Sequence, residues 1–159
     1  MSRLEKLLKR VREELRQTPG VSLRELARKF SVPEGAILET FREKGVSKVR
    51  SDKKTALLEE IRTWGSNRLC VHNDWAEIEV AVDLKDLVSG PEGWALEMPH
   101  VRVEIDDARV DTIYFVEGPP PASLQFYNRR GRCIFRVVLR TDAALVDRFR
   151  AARETFCAS

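Results

Sequence analysis

The chain has 159 residues, enough to bury a hydrophobic core in one domain with a helical appendage. Its 43% hydrophobic and 33% charged content excludes a disordered or fibrous chain, and no apolar run approaches the roughly 20 residues that span a bilayer. Net charge is +3, yet residues 1–54 hold 15 Lys/Arg against 8 Asp/Glu, a net of +7, leaving 13 against 17, a net of −4, for the remainder. A basic head on an acidic body suits an anionic partner such as nucleic acid, and equally suits a solvated helical surface.

The first residues, MSRLEKLLKRVREEL, form a charged helix with no signal-peptide apolar stretch, which predicts a cytoplasmic protein. Leu4, Leu7, Leu8, Val11 and Leu15 share one helical face, and Thr18, Pro19 and Gly20 end the helix. Ser22 and Glu25 have capping-box spacing and predict a second helix carrying Leu23, Leu26, Ala27 and Phe30. Ser31 and Glu34, with Pro33 in the first turn, predict a third carrying Ile37, Leu38 and Phe41 and closed by Gly45. Three short helices resemble a helix-turn-helix module. The third, PEGAILETFREKG, carries Glu34, Glu39 and Glu43 and lacks the side chains that read base edges, which argues against DNA recognition. Residues 48–54 read as a linker. Leu57, Leu58 and Ile61 then mark a fourth helix that ends at Trp64 and Gly65.

From residue 68 the hydrophobic period changes to two. Ile78, Val80 and Val82 alternate with Glu77, Glu79 and Ala81, and Val101, Val103 and Ile105 alternate with His100, Arg102 and Glu104. RVDTIYFV, SLQFY and CIFRVVLR are further strands, the last two joined by a turn at Asn128, Arg129, Arg130 and Gly131, while Gly118, Pro119, Pro120 and Pro121 break the sheet. Residues 142–156 form a closing amphipathic helix with Leu145, Val146, Phe149 and Ala152. The order predicts an α+β fold: an N-terminal helical bundle, a large antiparallel β-sheet and a C-terminal helix, divided into a helical segment and linker (1–54) and a sheet domain (55–159).

Chemistry that needs imidazole has only His72 and His100 to draw on, each read as opening a β-like segment. Strand parity sets His100 beside Arg102 and Glu104, away from the valine face. His72 precedes the turn signal Asn73-Asp74 and lies close to Trp75. Both positions also suit ordinary surface histidines. Cys70, Cys133 and Cys157 are an odd count without CxxC spacing, so neither a disulfide framework nor a zinc site is indicated, and Cys70 with His72 is at most a two-ligand fragment. No nucleophile elbow, phosphate loop, HExxH or distinctive carboxylate pair occurs.

Several segments in order resemble the HutX/ChuX group of haem-utilisation proteins, which corresponds to one half of the duplicated HemS-type haem-handling proteins. These are LLEEIRTWG, RLCVHNDWAEIEV, HVRVEIDDARVDTIYFV and SLQFYNRRGRCIFRVVLRTD, preceded by the head pattern PGVSLRELARKFSVPEGAI. The chain departs from the group where SGPEGWALEM stands for a Tyr/Asn/Gly-rich stretch and where EGPPPAS follows the middle strand. The resemblance implies a HemS/ChuX-like fold and haem (iron protoporphyrin IX) as cofactor. It implies His72 and His100 as haem-iron ligands, Arg102 and Arg136 as cations for the propionates, and Trp64, Trp75 and Trp94 as packing for the porphyrin or the core. It further implies a homodimeric carrier of a bacterial uptake system, handing haem to a downstream accepting or degrading protein. The alternatives are a haem-degrading enzyme, a divergent member without haem binding and, last, a DNA-binding regulator.

Overall fold

The computed structural model describes every residue except Glu43, Pro119, Pro120, Ala158 and Ser159, so two of the residues read as the proline break lie outside it. The architecture is the expected α+β arrangement. Helices α1 (Arg3–Gln17), α2 (Leu23–Phe30) and α3 (Glu34–Glu39) form the head, followed by strand β1 (Val46–Lys48) and helix α4 (Lys54–Ile61). Strands β2 (Ser66–His72), β3 (Glu77–Asp83), β4 (Leu87–Gly90), β5 (Gly93–Met98), β6 (Val101–Ile105), β7 (Thr112–Val116), β8 (Ser123–Tyr127) and β9 (Cys133–Val138) precede the final helix α5 (Ala143–Phe156).

The strands divide between two sheets. One has six strands in the order β1-β7-β8-β9-β2-β3, and the other has three in the order β4-β5-β6, all antiparallel. Period-two patterning explains the larger one. Leu69 on β2 lies opposite Val137 on β9, Val137 opposite Leu124 on β8, and Leu124 opposite Phe115 on β7. This row forms one face and packs beneath Leu57, Leu58 and Ile61 of α4 and Leu145, Phe149 and Ala152 of α5. Each fully buried Leu or Phe contributes roughly 1.5–3 kcal/mol, so this core dominates stability. The small sheet closes it from the side: Trp94 meets Phe126 edge-on at 5.9 Å, and Phe126 stacks on Phe135 at 4.0 Å. Trp64 and Trp94 are therefore core residues, with Trp64 against Phe115 and Phe149.

The head has a core of its own, in which Val11, Leu26, Phe30, Val32 and Ile37 meet. A third cluster of Leu38, Val46, Tyr114 and Tyr127 ties it to the opposite face of the large sheet. Three sequence expectations change here. Ser31 is not the cap of α3; it stands in the left-handed region (φ 51°) and ends α2, whose Ala27 carbonyl accepts from Val32 N–H. Pro33 then starts α3 without a side-chain cap, and the helix ends at Glu39, well before Gly45. Residues 46–48, which overlap the expected linker only at Lys48, are edge strand β1, paired with β7. The hairpin of β4 and β5, which runs from Leu87 through SGPEGWALEM, has no counterpart in the sequence pattern, because its short strands show no clean alternation.

Candidate functional site

A cleft of about 490 Å³ opens where the head meets one end of the large sheet. Its walls come from the α2–α3 junction (Arg28, Pro33, Glu34), the end of β2 (His72, Asn73, Asp74) and the β8–β9 turn (Asn128, Arg132, Cys133). Backbone geometry brings these together. Gly131 has φ 78° in the turn, and a Cβ there would approach Pro33 Cβ to 2.9 Å; Gly35 N–H donates to the Gly131 carbonyl at 2.9 Å. Only a glycine at 131 allows α3 to sit this closely on the turn. Asn128 braces the turn, its Oδ1 accepting from the N–H groups of Arg130 and Arg132.

That docking places Glu34, the first residue of α3, against His72. Glu34 Oε1 lies 2.6 Å from His72 Nε2, and the imidazole side chain is only 4% exposed. Its other nitrogen, Nδ1, is buried and finds no hydrogen-bond partner among the described residues. Cys133 joins them: one ligand atom from each of Glu34, His72 and Cys133 lies within 4.8 Å of the other two. Burial, reinforced by the Glu34 charge, pushes the Cys133 thiol up to about 12, and burial likewise holds the Tyr127 phenol well above its ordinary range. Arg28 donates to the Asp74 carbonyl at 3.2 Å and lies over the Trp75 ring at 5.9 Å.

The four residues singled out in the sequence fall into two groups. His72 ends β2 rather than opening a strand, and it shares a sheet face with Cys70, whose partner across the β2–β9 pair is Arg136. Arg136 is half-buried and bonded to Glu77. His100 is exposed in the turn before β6 rather than at the start of the strand, on the small sheet. The parity expected for β6 holds: Arg102 and Glu104 are exposed and paired at 2.5 Å, while Ile105 is buried. The fold thus gathers His72 and Arg136 on the large sheet and sets His100 and Arg102 on the small one. Trp75 is 84% exposed at the tip of the β2–β3 hairpin. Sequence reading missed Glu34, Arg28, Arg132 and Cys133 as neighbours of His72. Their separations along the chain leave no local spacing to detect, and in the sequence Glu34 reads as a capping partner of Ser31 and an acidic residue of the third helix.

Comparisons with known proteins agree with the fold. Residues 47–152 match the model of the family described as haem utilisation ChuX/HutX. A search of the curated proteins finds no significant match. Among solved structures, a protein from Erwinia carotovora superposes with a TM-score of 0.79 at 24% identity, covering 92% of this chain and 98% of its own. ChuX superposes at 0.74 with 18% identity, over 91% and 96%. Holo-PhuS, a heme-binding protein from Pseudomonas aeruginosa, superposes at 0.82 with 16% identity, over 99% of this chain but 47% of PhuS. The heme-degrading enzyme ChuS of Escherichia coli O157:H7 is matched over the same 47% of its length. The chain therefore spans about half of the PhuS and ChuS chains.

Proposed function

We propose, for a chain that belongs to the haem utilisation ChuX/HutX family, that it is an intracellular haem carrier, binding haem through histidine and passing it to an accepting or degrading protein. The observation that carries this reading is the family match itself, which covers both histidines and both arginines named from the sequence. The cleft at His72 adds chemical fit. Its volume lies in the range of small-molecule sites, and it offers an imidazole together with the guanidinium groups of Arg28 and Arg132.

In this reading His72 or His100 would hold the haem iron through an imidazole nitrogen, and the haem, when bound, would supply redox-active iron. Arg28 and Arg132 join Arg102 and Arg136 as cations available to the propionates. His100 and Arg102 reach solvent directly, whereas His72 must first exchange its Glu34 partner. The absence of an acid–base or nucleophilic motif from the sequence favours a carrier. A homodimer, in which a second copy supplies what the other half of a PhuS-length chain contains, accords with the length relation and with exposed Val71, Trp75 and Ile78 on the outer hairpin.

Titration with hemin tests the reading. The expected result is a saturable Soret band, weakened by His72→Ala, by His100→Ala or by both; binding no tighter than to an unrelated basic protein would refute it. Adding an electron donor to the complex should leave the Soret band intact, and its loss with iron release would mark a degrading enzyme instead. Light scattering should give the mass of two chains.

A further inference from the structure

We propose that Glu34, His72 and Cys133 form a second kind of site, one that binds a divalent transition-metal ion of zinc(II) type as the free ion, without porphyrin. The residues come from three elements that only the tertiary fold unites: the start of α3, the end of β2 and the start of β9. Their ligand atoms already lie within 4.8 Å of one another. A tetrahedral zinc ion, with bonds of about 2.0–2.3 Å, separates its ligand atoms by about 3.3–3.7 Å, so closure around an ion needs side-chain adjustments on the order of 1 Å.

Charge and chemistry select the ion. A glutamate, a thiolate and a neutral imidazole carry two negative charges, which a divalent cation neutralises, so the ion can be held in a largely buried place. The mixed O, N and S donors disfavour magnesium and calcium, which prefer all-oxygen shells, and favour zinc(II) or cobalt(II). His72 meets a second requirement. Its side chain is 96% withdrawn from solvent and its Nε2 already faces Glu34 Oε1 at 2.6 Å, so an ion taken up between these two atoms replaces their hydrogen bond. The adjoining cleft, lined by Asn73, Asp74 and Asn128, leaves room for water or a small ligand at a fourth position.

Occupation of the site releases the Cys133 proton to solvent; that proton is now held tightly because the thiol is buried beside Glu34. The sulfur's donation to the Phe135 carbonyl, at 3.6 Å, is a weak contact that must be given up. A second cluster of Cys70, Glu77 and Glu79 lies on the same face, but its two carboxylates are exposed and engaged by Arg136 and Arg68. Those cations make it the poorer cation site.

The inference does not rest on the haem reading, because it is tested on the full chain without haem. Cobalt(II), added under reducing conditions, should bind one ion per chain with a thiolate-to-cobalt charge-transfer band and the visible bands of four-coordinate cobalt, and zinc(II) should abolish both. Cys133→Ser should remove the charge-transfer band, and Glu34→Gln, which preserves shape and a hydrogen bond to His72, should weaken binding by about tenfold or more. Cys70→Ser and Cys157→Ser should change neither, and circular dichroism should show every variant folded. No charge-transfer band in the wild type, or a band that survives Cys133→Ser and disappears with Cys70→Ser, would overturn the proposal. Hemin binding by Cys133→Ser, measured in parallel, separates failure here from failure of the carrier reading.

Discussion

His72 and His100 occupy contrasting regions. His72 ends a strand of the six-stranded sheet, walled in by α3 and the β8–β9 turn, with a carboxylate on one nitrogen and a second nitrogen that has no partner among the described residues. His100 lies in a turn of the three-stranded sheet and is exposed, with Arg102 and Glu104 two and four residues on, paired with each other in solvent. The same residue type is thus built into a polar cluster in one region and displayed in the other. A buried group is coupled to the packing around it, whereas an exposed one is free to meet a ligand at little conformational cost. Access and preorganisation are divided between the two sheets.

The largest effect should come from breaking the joint between these regions. Phe126 stacks on Phe135 within the large sheet and meets Trp94 of the small one. Phe126→Ala should cost about 3–5 kcal/mol in denaturant unfolding. A loss below about 1 kcal/mol would mean that the small sheet does not share the core, since cavity formation alone exceeds that value.

A smaller difference should separate the histidines themselves. His72→Ala leaves Glu34 without its partner in a half-buried place and should cost about 1–3 kcal/mol, while His100→Ala should stay within about 0.5 kcal/mol of wild type. Equal effects on the denaturation midpoint would erase the contrast.

The smallest effect concerns Cys133 and alkaline pH. Its folded pKa, about 12, stands above the ordinary thiol value of 9.0, so the unfolded chain releases this proton first as pH rises. The stabilisation from keeping the thiol neutral is whole below pH 9 and declines between pH 9 and about 12. Native alkylation of Cys133 at pH 8 should therefore be slow and should rise sharply on unfolding, as read by mass spectrometry. Rapid native alkylation would contradict a buried, protonated thiol.

Much of the fold was legible in the chain. Helix caps and the 3.6-residue period located α1, α2, α4 and α5, and the period of two placed Val82 and Ile105 on buried faces. Ser31 misled because capping spacing recurs by chance: the left-handed turn that ends α2 claimed the residue first. At residues 46–48 three residues are too few to show alternation, and only pairing with β7 makes them a strand.

His100 shows what local patterning determines alone: parity put Arg102 and Glu104 on the open face, and β6 has that face exposed. The ordered motifs likewise pointed to the family, because they report the succession of elements. Tertiary structure alone decided the surroundings of His72. Glu34, 38 residues earlier, and Cys133, 61 later, reach it through the close approach of α3 to Gly131. Contacts between distant segments arise from packing, which leaves no periodic trace in the chain.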